Sequence, residues 1–285
     1  MYHMQAAIFL FGILWGTIAM ALGTDFNQDT REAFKKSINY PALVAAHPQE
    51  KTVTLDWHKA LQNLKDAQGT VWTSTPAEPG LGGTGEGQLR LNLQSSKGEA
   101  IVEIISLDGD WQERLDYVIA KKSLTDRIDV NSKLVPGIED IYFIPKTGTE
   151  VPFTSFLYGN LFIDISQWDA NDIDALAKAI YQLVKNNSQP AVEAKPAFKI
   201  NVDKCQLNIG DTVKINVEGL VKDWTSEWIY NQPQLLLGNE LEYLEQDGDT
   251  FFFKAVKAGK IEVTFAALNT RTLYVEKQSV AVEIR

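Results

Sequence analysis

Cysteine is the rarest residue type in this sequence: Cys205 is the only cysteine among 285 residues. A single thiol excludes an internal disulfide and a cysteine-based metal cluster, because each needs at least two cysteines. The folded parts must therefore be held together by packing, which suits units of about 100 residues or more. A lone cysteine usually packs as a small hydrophobic residue, so we predict that Cys205 is buried.

Histidine, the side chain that most often serves as a general base, is also scarce. His3 falls in an apolar N-terminal segment, which leaves His47 and His58 as candidate bases. A hydrolytic triad needs such a base beside an activated serine or cysteine. The sequence has no Gly-x-Ser-x-Gly motif, and no feature places Cys205 beside either histidine. We therefore assign no catalytic residue and predict a protein that is not an enzyme.

Acidic residues occur in pairs, but no pair has the surroundings that a metal site requires. Asp108 with Asp110, and Asp247 with Asp249, each flank a single glycine. Calcium takes about six converging oxygen ligands, commonly from a longer loop that ends in glutamate. Turns and helix starts favour aspartate near glycine for backbone reasons. We predict neither a metal site nor a cofactor.

Basic residues are outnumbered by acidic ones, 27 against 37, and the net charge is -10. A chain with this charge is repelled by phosphate backbones and by anionic lipid surfaces. Nucleic acid is therefore not a predicted partner. The predicted partner is a protein or a component of the cell envelope.

An uncharged apolar run, AAIFLFGILWGTIAMALG, extends from Ala6 to Gly23 and is followed by polar sequence. Small residues at Ala19, Ala21 and Gly23 have the spacing that a signal peptidase prefers. The run carries no preceding lysine or arginine and is nearly long enough to span a bilayer. Residues 1–23 are thus a signal peptide or an N-terminal anchor, and either one predicts a secreted or periplasmic protein. Membrane contact is expected only through this segment, if it stays uncleaved.

Residues 24–187 alternate between strand and helix patterns, which predicts an α+β unit. Period-two segments at Gln88–Gln94 and Glu99–Leu107 read as hairpin strands, and Gly159-Asn160 is typical of a second hairpin turn. Helical periodicity follows each group of strands, from Trp111 and from Asp169. We expect a layered antiparallel sheet with covering helices.

The stretch GLGGTGEG, from Gly80 to Gly87, contains a Gly-x-Gly-x-x-Gly spacing. This spacing binds a dinucleotide only when a strand enters the turn and a helix leaves it. Here Pro-Ala-Glu-Pro precedes the glycines and a strand pattern follows them. We predict a flexible loop, and we take Gly82 and Gly83 as candidate partner-binding residues.

Residues 188–197, SQPAVEAKPA, contain two prolines and little bulk, so they are predicted to be a linker. Short strand patterns punctuated by glycine fill residues 198–285, and helical periodicity is absent there. This arrangement predicts an all-β immunoglobulin-like sandwich.

The segments LNIGDTVKINV, GDTFFFKAVKAGKIEVTFAAL and SVAVEIR resemble bacterial immunoglobulin-like domains and, in the same places, the chagasin family of secreted cysteine-protease inhibitors. The resemblance implies the sandwich fold over residues 198–285. It also implies three inhibitory loops, but EGLVKDWTSEW, LEQDGD and LNTRTLYVEK lack the hallmark segments of that family. Arg271 alone matches too little, and no inhibitory residue is transferred.

Aromatic residues cluster at Trp224, Trp228 and Tyr230, near the second and third predicted strands of the sandwich. Such rings either fill a core or anchor a partner, and both readings stay open. We take the three as candidate partner-binding residues. The sequence as a whole predicts an exported, non-enzymatic binding or interaction protein. The alternatives are a chagasin-like protease inhibitor with atypical loops and an uncharacterised enzyme in the α+β unit.

Overall fold

The structure, a computed structural model, describes residues 28–29, 31–46, 51–75, 78–82, 85–124, 142–143, 153–167, 173–190, 198–229 and 240–285. Of residues 46, 58, 121–124, 142–143, 153 and 227–229 it describes the backbone alone. The predicted segment 1–23 and His47 lie outside these ranges. Among the helices described, none is both long and apolar enough to cross a membrane.

The fold is mixed α+β, with several antiparallel sheets. We call residues 31–190 the N-terminal region and residues 198–285 the C-terminal region. The helices of the N-terminal region within the described residues are α1 (31–37), α2 (Tyr40–Ala46), α3 (Trp57–Leu61), α4 (Trp111–Leu124) and α5 (Ile173–Asn186). Its strands are β1 (Lys51–Val53), β2 (Leu64–Lys65), β3 (Val71–Ser74), β4 (Gly80–Leu81), β5 (Gly87–Ser95), β6 (Gly98–Ser106), β7 (Tyr142–Phe143), β8 (Phe153–Tyr158), β9 (Leu161–Gln167) and β10 (Ser188–Pro190).

Helices cover both faces of the main sheet, whose strand order is β2-β3-β5-β6-β9-β8-β7, with β4 paired to β5. Leu91, Val102 and Ile165 lie opposite one another on β5, β6 and β9, and all are buried in the core that α3 and α5 cover. The other face of the sheet contributes residues such as Phe162 to a second core, beneath α1, α2 and α4. The strand that the period-two pattern of Gln88–Gln94 predicted is confirmed, since fully buried residues alternate with less buried ones along β5.

Helix α4 starts with a reciprocal capping box formed by Asp110 and Glu113. The backbone N–H of Glu113 donates to Asp110 Oδ1 at 2.9 Å, and the backbone N–H of Asp110 donates to Glu113 Oε2 at 2.9 Å. Two of the free donors at the helix start are thereby satisfied. Of the two aspartates that flank Gly109, either of which could cap the helix by sequence, Asp110 is the one that does so.

The hairpin of β8 and β9 turns at Gly159-Asn160, also as predicted. Gly159 has a φ of 56°, and a Cβ added to it would lie 2.6 Å from the carbonyl oxygen of Lys51. Glycine is therefore required twice, for the left-handed backbone and for the close approach of the chain at β1. Strand β1 pairs with β10, so Ser188–Pro190 belongs to a sheet although the sequence placed it in the linker. Residues 191–197 lie outside the described ranges.

The apolar spacing of LDWHKALQNLKDA, residues 55–67, predicts a helix over the whole segment, but the helix in the structure is shorter. It ends at Leu61, Asn63 adopts a φ of 60°, and the chain continues as strand β2. Asp66 explains the change, because its Oδ1 accepts backbone N–H groups of Gln68 and Thr70, both at 2.9 Å, and its Oδ2 accepts Trp72 Nε1 at 3.1 Å. This Asx turn stabilises the β2–β3 hairpin in place of further helix.

Burial of the carboxyl group by itself would raise the pKa of Asp66, but the hydrogen bonds from Trp72, Thr70 and Gln68 outweigh burial and lower that pKa. The folded state therefore favours the charged form. The stability that Asp66 contributes is present above the pKa of an unfolded aspartate, about 3.9, and is lost as the pH falls through the lower folded value.

We expect Asp66→Asn to lower the free energy of unfolding by about 2 kcal/mol at pH 7, because an amide cannot accept all three donors. Urea unfolding at pH 7 and at about pH 3 checks this, since the difference from wild type should shrink in acid. Asp247→Asn, at an exposed residue of the C-terminal region, is the control and should change stability little. An equal loss at both pH values would contradict the account.

The C-terminal region contains strands alone in its described ranges, 198–229 and 240–285. The strands form two four-stranded sheets, with orders β11-β13-β16-β15 and β12-β18-β17-β14. One core receives buried side chains from both sheets and includes Phe251, Phe253 and Phe265. The strand bounds are β11 (Lys199–Val202), β12 (Gln206–Leu207), β13 (Thr212–Glu218), β14 (Trp224–Ile229), β15 (Leu241–Asp247), β16 (Thr250–Ala255), β17 (Gly259–Asn269) and β18 (Val275–Ile284).

The prediction that Cys205 is buried is wrong, because the residue is exposed. It lies in the short connection between β11 and β12, where its carbonyl accepts the N–H of Glu283 at 2.9 Å. The backbone is fixed by this bond while the side chain stays outside the core. Composition favours burial of cysteine on average, but a connection between edge strands offers no interior position.

Candidate functional site

Two of the residues that the sequence singled out, Gly82 and Trp224, lie near the place where the two regions meet. Gly82 lies in the turn after β4, and Trp224 is the first residue of β14. Trp228 lies within β14, where its backbone pairs with Phe265, but its side chain is outside the described part of the structure. Gly83 and Tyr230 lie outside the described ranges.

Strand β4 contacts strand β14, so the glycine segment and the tryptophan segment share one junction. Leu81 of β4 packs against a small core formed by Ala266, Leu268 and Val275 of β17 and β18. Ala266 and Leu268 alternate with Phe265 and Ala267, which belong to the internal core of the C-terminal region. At Ala266, Leu268 and Val275 the outer face of this sheet is therefore covered by the N-terminal region instead of facing solvent.

The glycine segment is a paired hairpin and not a flexible loop. Gly80 pairs with Gln88 and Leu81 with Gly87, and the N–H of Gly82 donates to the carbonyl of Glu86 at 2.7 Å. A strand enters this turn and a strand leaves it. Dinucleotide binding needs the N-terminus of a helix at that point, so the geometry agrees with excluding it.

Gly87 contacts the C-terminal region directly through its backbone. A Cβ added to Gly87 would overlap the carbonyl oxygen of Leu273, lie 2.8 Å from its carbonyl carbon and lie 3.1 Å from Leu268 Cδ1. The φ of Gly87 is not positive, so its backbone conformation would suit other residues. Glycine is needed here only because the backbone of the β17–β18 loop passes so close to it.

Leu273 extends from the β17–β18 loop into the core of the N-terminal region. Its side chain is fully buried and belongs to the cluster that includes Leu55 and Trp57. Beside it, the N–H of Leu55 donates to the carbonyl of Arg271 at 3.1 Å. The loop is thus attached to the N-terminal region by one buried side chain and by a backbone hydrogen bond.

The β17–β18 loop, residues 269–274, is organised around Asn269. The Oδ1 of Asn269 accepts the N–H groups of Arg271 and Thr272, each at 3.0 Å. Its carbonyl accepts the N–H of Leu273 at 2.8 Å, and its own N–H donates to the carbonyl of Tyr274 at 2.8 Å. The side chain of one asparagine therefore sets the shape of the loop before it meets the N-terminal region.

Trp224 supports this loop from the C-terminal side. Its ring meets the ring of Tyr274 edge to face, with centroids 6.2 Å apart and an interplanar angle of 83°. The residue is half-buried and packs against the internal core of the C-terminal region. Core packing and loop support therefore account for Trp224. Next to it, Asp223 Oδ2 lies 3.9 Å from an Arg271 guanidinium nitrogen, a loose ion pair.

Charged groups from both regions surround Asp108 at the edge of the junction. Although Asp108 is an exposed residue, burial of its carboxyl group raises its pKa. Lys277 and Arg114 lower this pKa and Glu276 and Glu86 raise it, with a net upward shift. Because the carboxyl group stays in contact with solvent, we expect a small effect of this shift on stability.

Sequence reasoning did not identify Leu273, the residue that joins the two regions. The only local signal is a large apolar side chain in the polar loop sequence NTRTLY. Within the described ranges, no three histidine, cysteine or acidic side chains are grouped so that they could hold a metal ion.

The chain was also compared with known families and proteins. No family model matches it, and no curated protein matches it.

Proposed function

We propose that this chain is an exported, non-enzymatic binding protein of the cell envelope or extracellular space. In this proposal the C-terminal region is an immunoglobulin-like sandwich, and its junction with the N-terminal α+β unit gives it a fixed orientation. The apolar run of residues 6–23 supports export.

The strand order supports the immunoglobulin-like assignment. If β11, β12 and β13 to β18 correspond to strands A, A′, B, C, D, E, F and G, the two sheets read A-B-E-D and A′-G-F-C. Constant-type immunoglobulin domains place A, B, E and D in one sheet and C, F and G in the other. The partly buried Trp224 at the start of β14 corresponds in position to the core tryptophan that strand C often carries.

The observation that carries the binding proposal is the exposed surface of strand β15, the last strand in the order of its sheet. Tyr243 is 40% exposed and Leu244 is 46% exposed, and the register of β15 shifts between Tyr243 and Glu245. Acidic side chains of Glu242, Glu245 and Asp247 are exposed around them. An apolar centre with a charged rim is typical of a protein interface.

The junction with the N-terminal region uses the other sheet of the C-terminal region, through β14, β17 and β18. Tyr243 and Leu244 lie on the sheet that contains β15, where their exposed side chains can contact a second molecule. The charge of the rim favours a partner that presents basic groups, and binding to it should weaken as the salt concentration rises.

A photo-cross-linking amino acid at position 244 tests this surface in the full-length protein, in the envelope fraction of cells that produce it. We expect a discrete cross-linked product that excess unlabelled protein competes away and that Glu242→Lys with Glu245→Lys diminishes. The matched control carries the same cross-linker at position 209. Ile209 is also exposed, at 58%, but it lies in the loop between β12 and β13 and not on β15. Equal products from both positions, or no product from position 244, would contradict the proposal.

The chagasin-like alternative is less well supported by the loop geometry. The third loop that the resemblance implies is the β17–β18 loop, and its Leu273 is fully buried against the N-terminal region. Arg271, the single matching residue, directs its carbonyl to Leu55. The Leu273 side chain could therefore contact a protease only after the junction opens, although the Arg271 side chain is exposed. The test is to titrate papain-like proteases with the full chain. If inhibition were stoichiometric, protease inhibition would be preferred to the binding proposal.

A further inference from the structure

The backbone of Leu273 is held in a conformation that leucine seldom adopts. Its φ is 58°, in the left-handed region where a Cβ crowds the following carbonyl. Such a residue persists only where its surroundings determine it more strongly than its own preference opposes it. At Leu273 the surroundings come from both regions of the chain.

From the C-terminal region, the Asn269 carbonyl holds the N–H of Leu273 at 2.8 Å. From the N-terminal region, the core that includes Leu55 and Trp57 surrounds the leucine side chain, and Gly87 leaves space for its carbonyl. Neither set alone combines the loop shape with burial of the side chain. In the folded chain the unfavourable φ is therefore compensated by contacts from both regions.

We propose that residues 269–274 form an interdomain latch that couples the folding of the two regions. Leu273 completes the apolar core of the N-terminal region, so this region reaches its full stability only when β17 and β18 are folded. The sequence predicts two regions with separate interiors, and the latch makes them one cooperative unit. Opening of the latch exposes Leu273 and releases the Leu55 N–H at the same time.

Leucine-to-alanine and leucine-to-glycine substitutions at position 273 test the latch in the full-length chain. Leu273→Ala should raise the unfolding equilibrium constant about a hundredfold or more, because a buried leucine is lost. Leu273→Gly should be several-fold less harmful than Leu273→Ala, because glycine adopts a positive φ without strain. At an ordinary strand position the order would be reversed. In both variants the Leu55 amide should lose protection from hydrogen exchange.

The control is Ile209→Ala, which removes an exposed apolar side chain from another loop of the C-terminal region. It should change the unfolding constant by less than about threefold and leave the Leu55 amide protected. The proposal is overturned if Leu273→Gly is as harmful as Leu273→Ala or more so. It is also overturned if the Leu55 amide keeps its protection in both variants.

A measurement on the unaltered chain decides the question if a variant does not fold. Under native conditions the Leu55 amide should exchange only through the opening that also exposes the amides of β17 and β18. The free energies of opening obtained from these amides should then agree. Exchange at Leu55 more than about tenfold faster than in β17 would show that the N-terminal region opens by itself, and would overturn the latch.

Discussion

Gly87→Ala is expected to lower the free energy of unfolding by about 3 kcal/mol or more, although it adds a single methyl group. The added Cβ would overlap the carbonyl oxygen of Leu273, and both groups are backbone or attached directly to it. Neither can rotate away as a side chain could, so the junction must open or the strands must shift. Urea unfolding followed by tryptophan fluorescence measures the loss.

Gly248→Ala is the matched control, because it is the same substitution at a position where the expected destabilisation has a different physical cause. Gly248 has a φ of 58° in the β15–β16 turn, and a Cβ there would meet nothing within 4 Å. The expected loss is about 1 kcal/mol, from backbone strain alone. If Gly87→Ala cost no more than Gly248→Ala, the close approach of Leu273 to β5 would be refuted.

Phe265→Ala is expected to destabilise the chain by about 4 kcal/mol, as large-to-small changes in a core do. Phe265 is fully buried, and its ring centroid lies 4.9 Å from that of Phe251 and 6.4 Å from that of Phe253. These rings join the two sheets of the C-terminal region, since Phe265 lies on β17 and the others lie on β16. Thermal and urea unfolding give the change in stability.

Phe252→Ala removes the same group from the same neighbourhood and serves as the control. Phe252 is half-buried and falls between two core residues, on the opposite face of β16. We expect its replacement to cost less than half as much as that of Phe265. Similar losses for the two variants would mean that the sheets do not share the core described above.

Local sequence patterns predicted much of the fold, because they arise from physics within a few residues. The alternation in Gln88–Gln94 reflects one buried face of a strand, and the Asp110 cap reflects donors in the adjacent helical turn. The turn at Gly159-Asn160 is likewise set by local backbone preference. Where a side chain acts over several residues, prediction failed, as at Asp66, whose Asx turn replaced helix with strand.

The junction could not be predicted, because its contacts join residues far apart in the chain. Position 87 must be glycine because the Leu273 carbonyl lies so close to it. The local sequence around either residue gives no sign that the two are in contact. The glycines of GLGGTGEG predict a flexible loop that binds a partner, whereas the structure pairs Gly80 and Gly87 in a hairpin beside β14. For Trp224 the sequence leaves core packing and partner binding open, and in the structure the residue packs on the core and supports the loop that joins the regions. The residue types were informative, but their partners came from within the chain.

The contact between Gly87 and Leu273 is the central claim of this account, and a nuclear Overhauser measurement tests it most directly. Cross-peaks between the α protons of Gly87 and protons of Leu273 or Leu268 are expected in the full-length protein, with strength comparable to cross-strand peaks between Leu91 and Val102. If the Leu91–Val102 peaks are present and the Gly87 peaks are absent, the two regions do not meet at this junction, and both the latch and the fixed orientation are refuted.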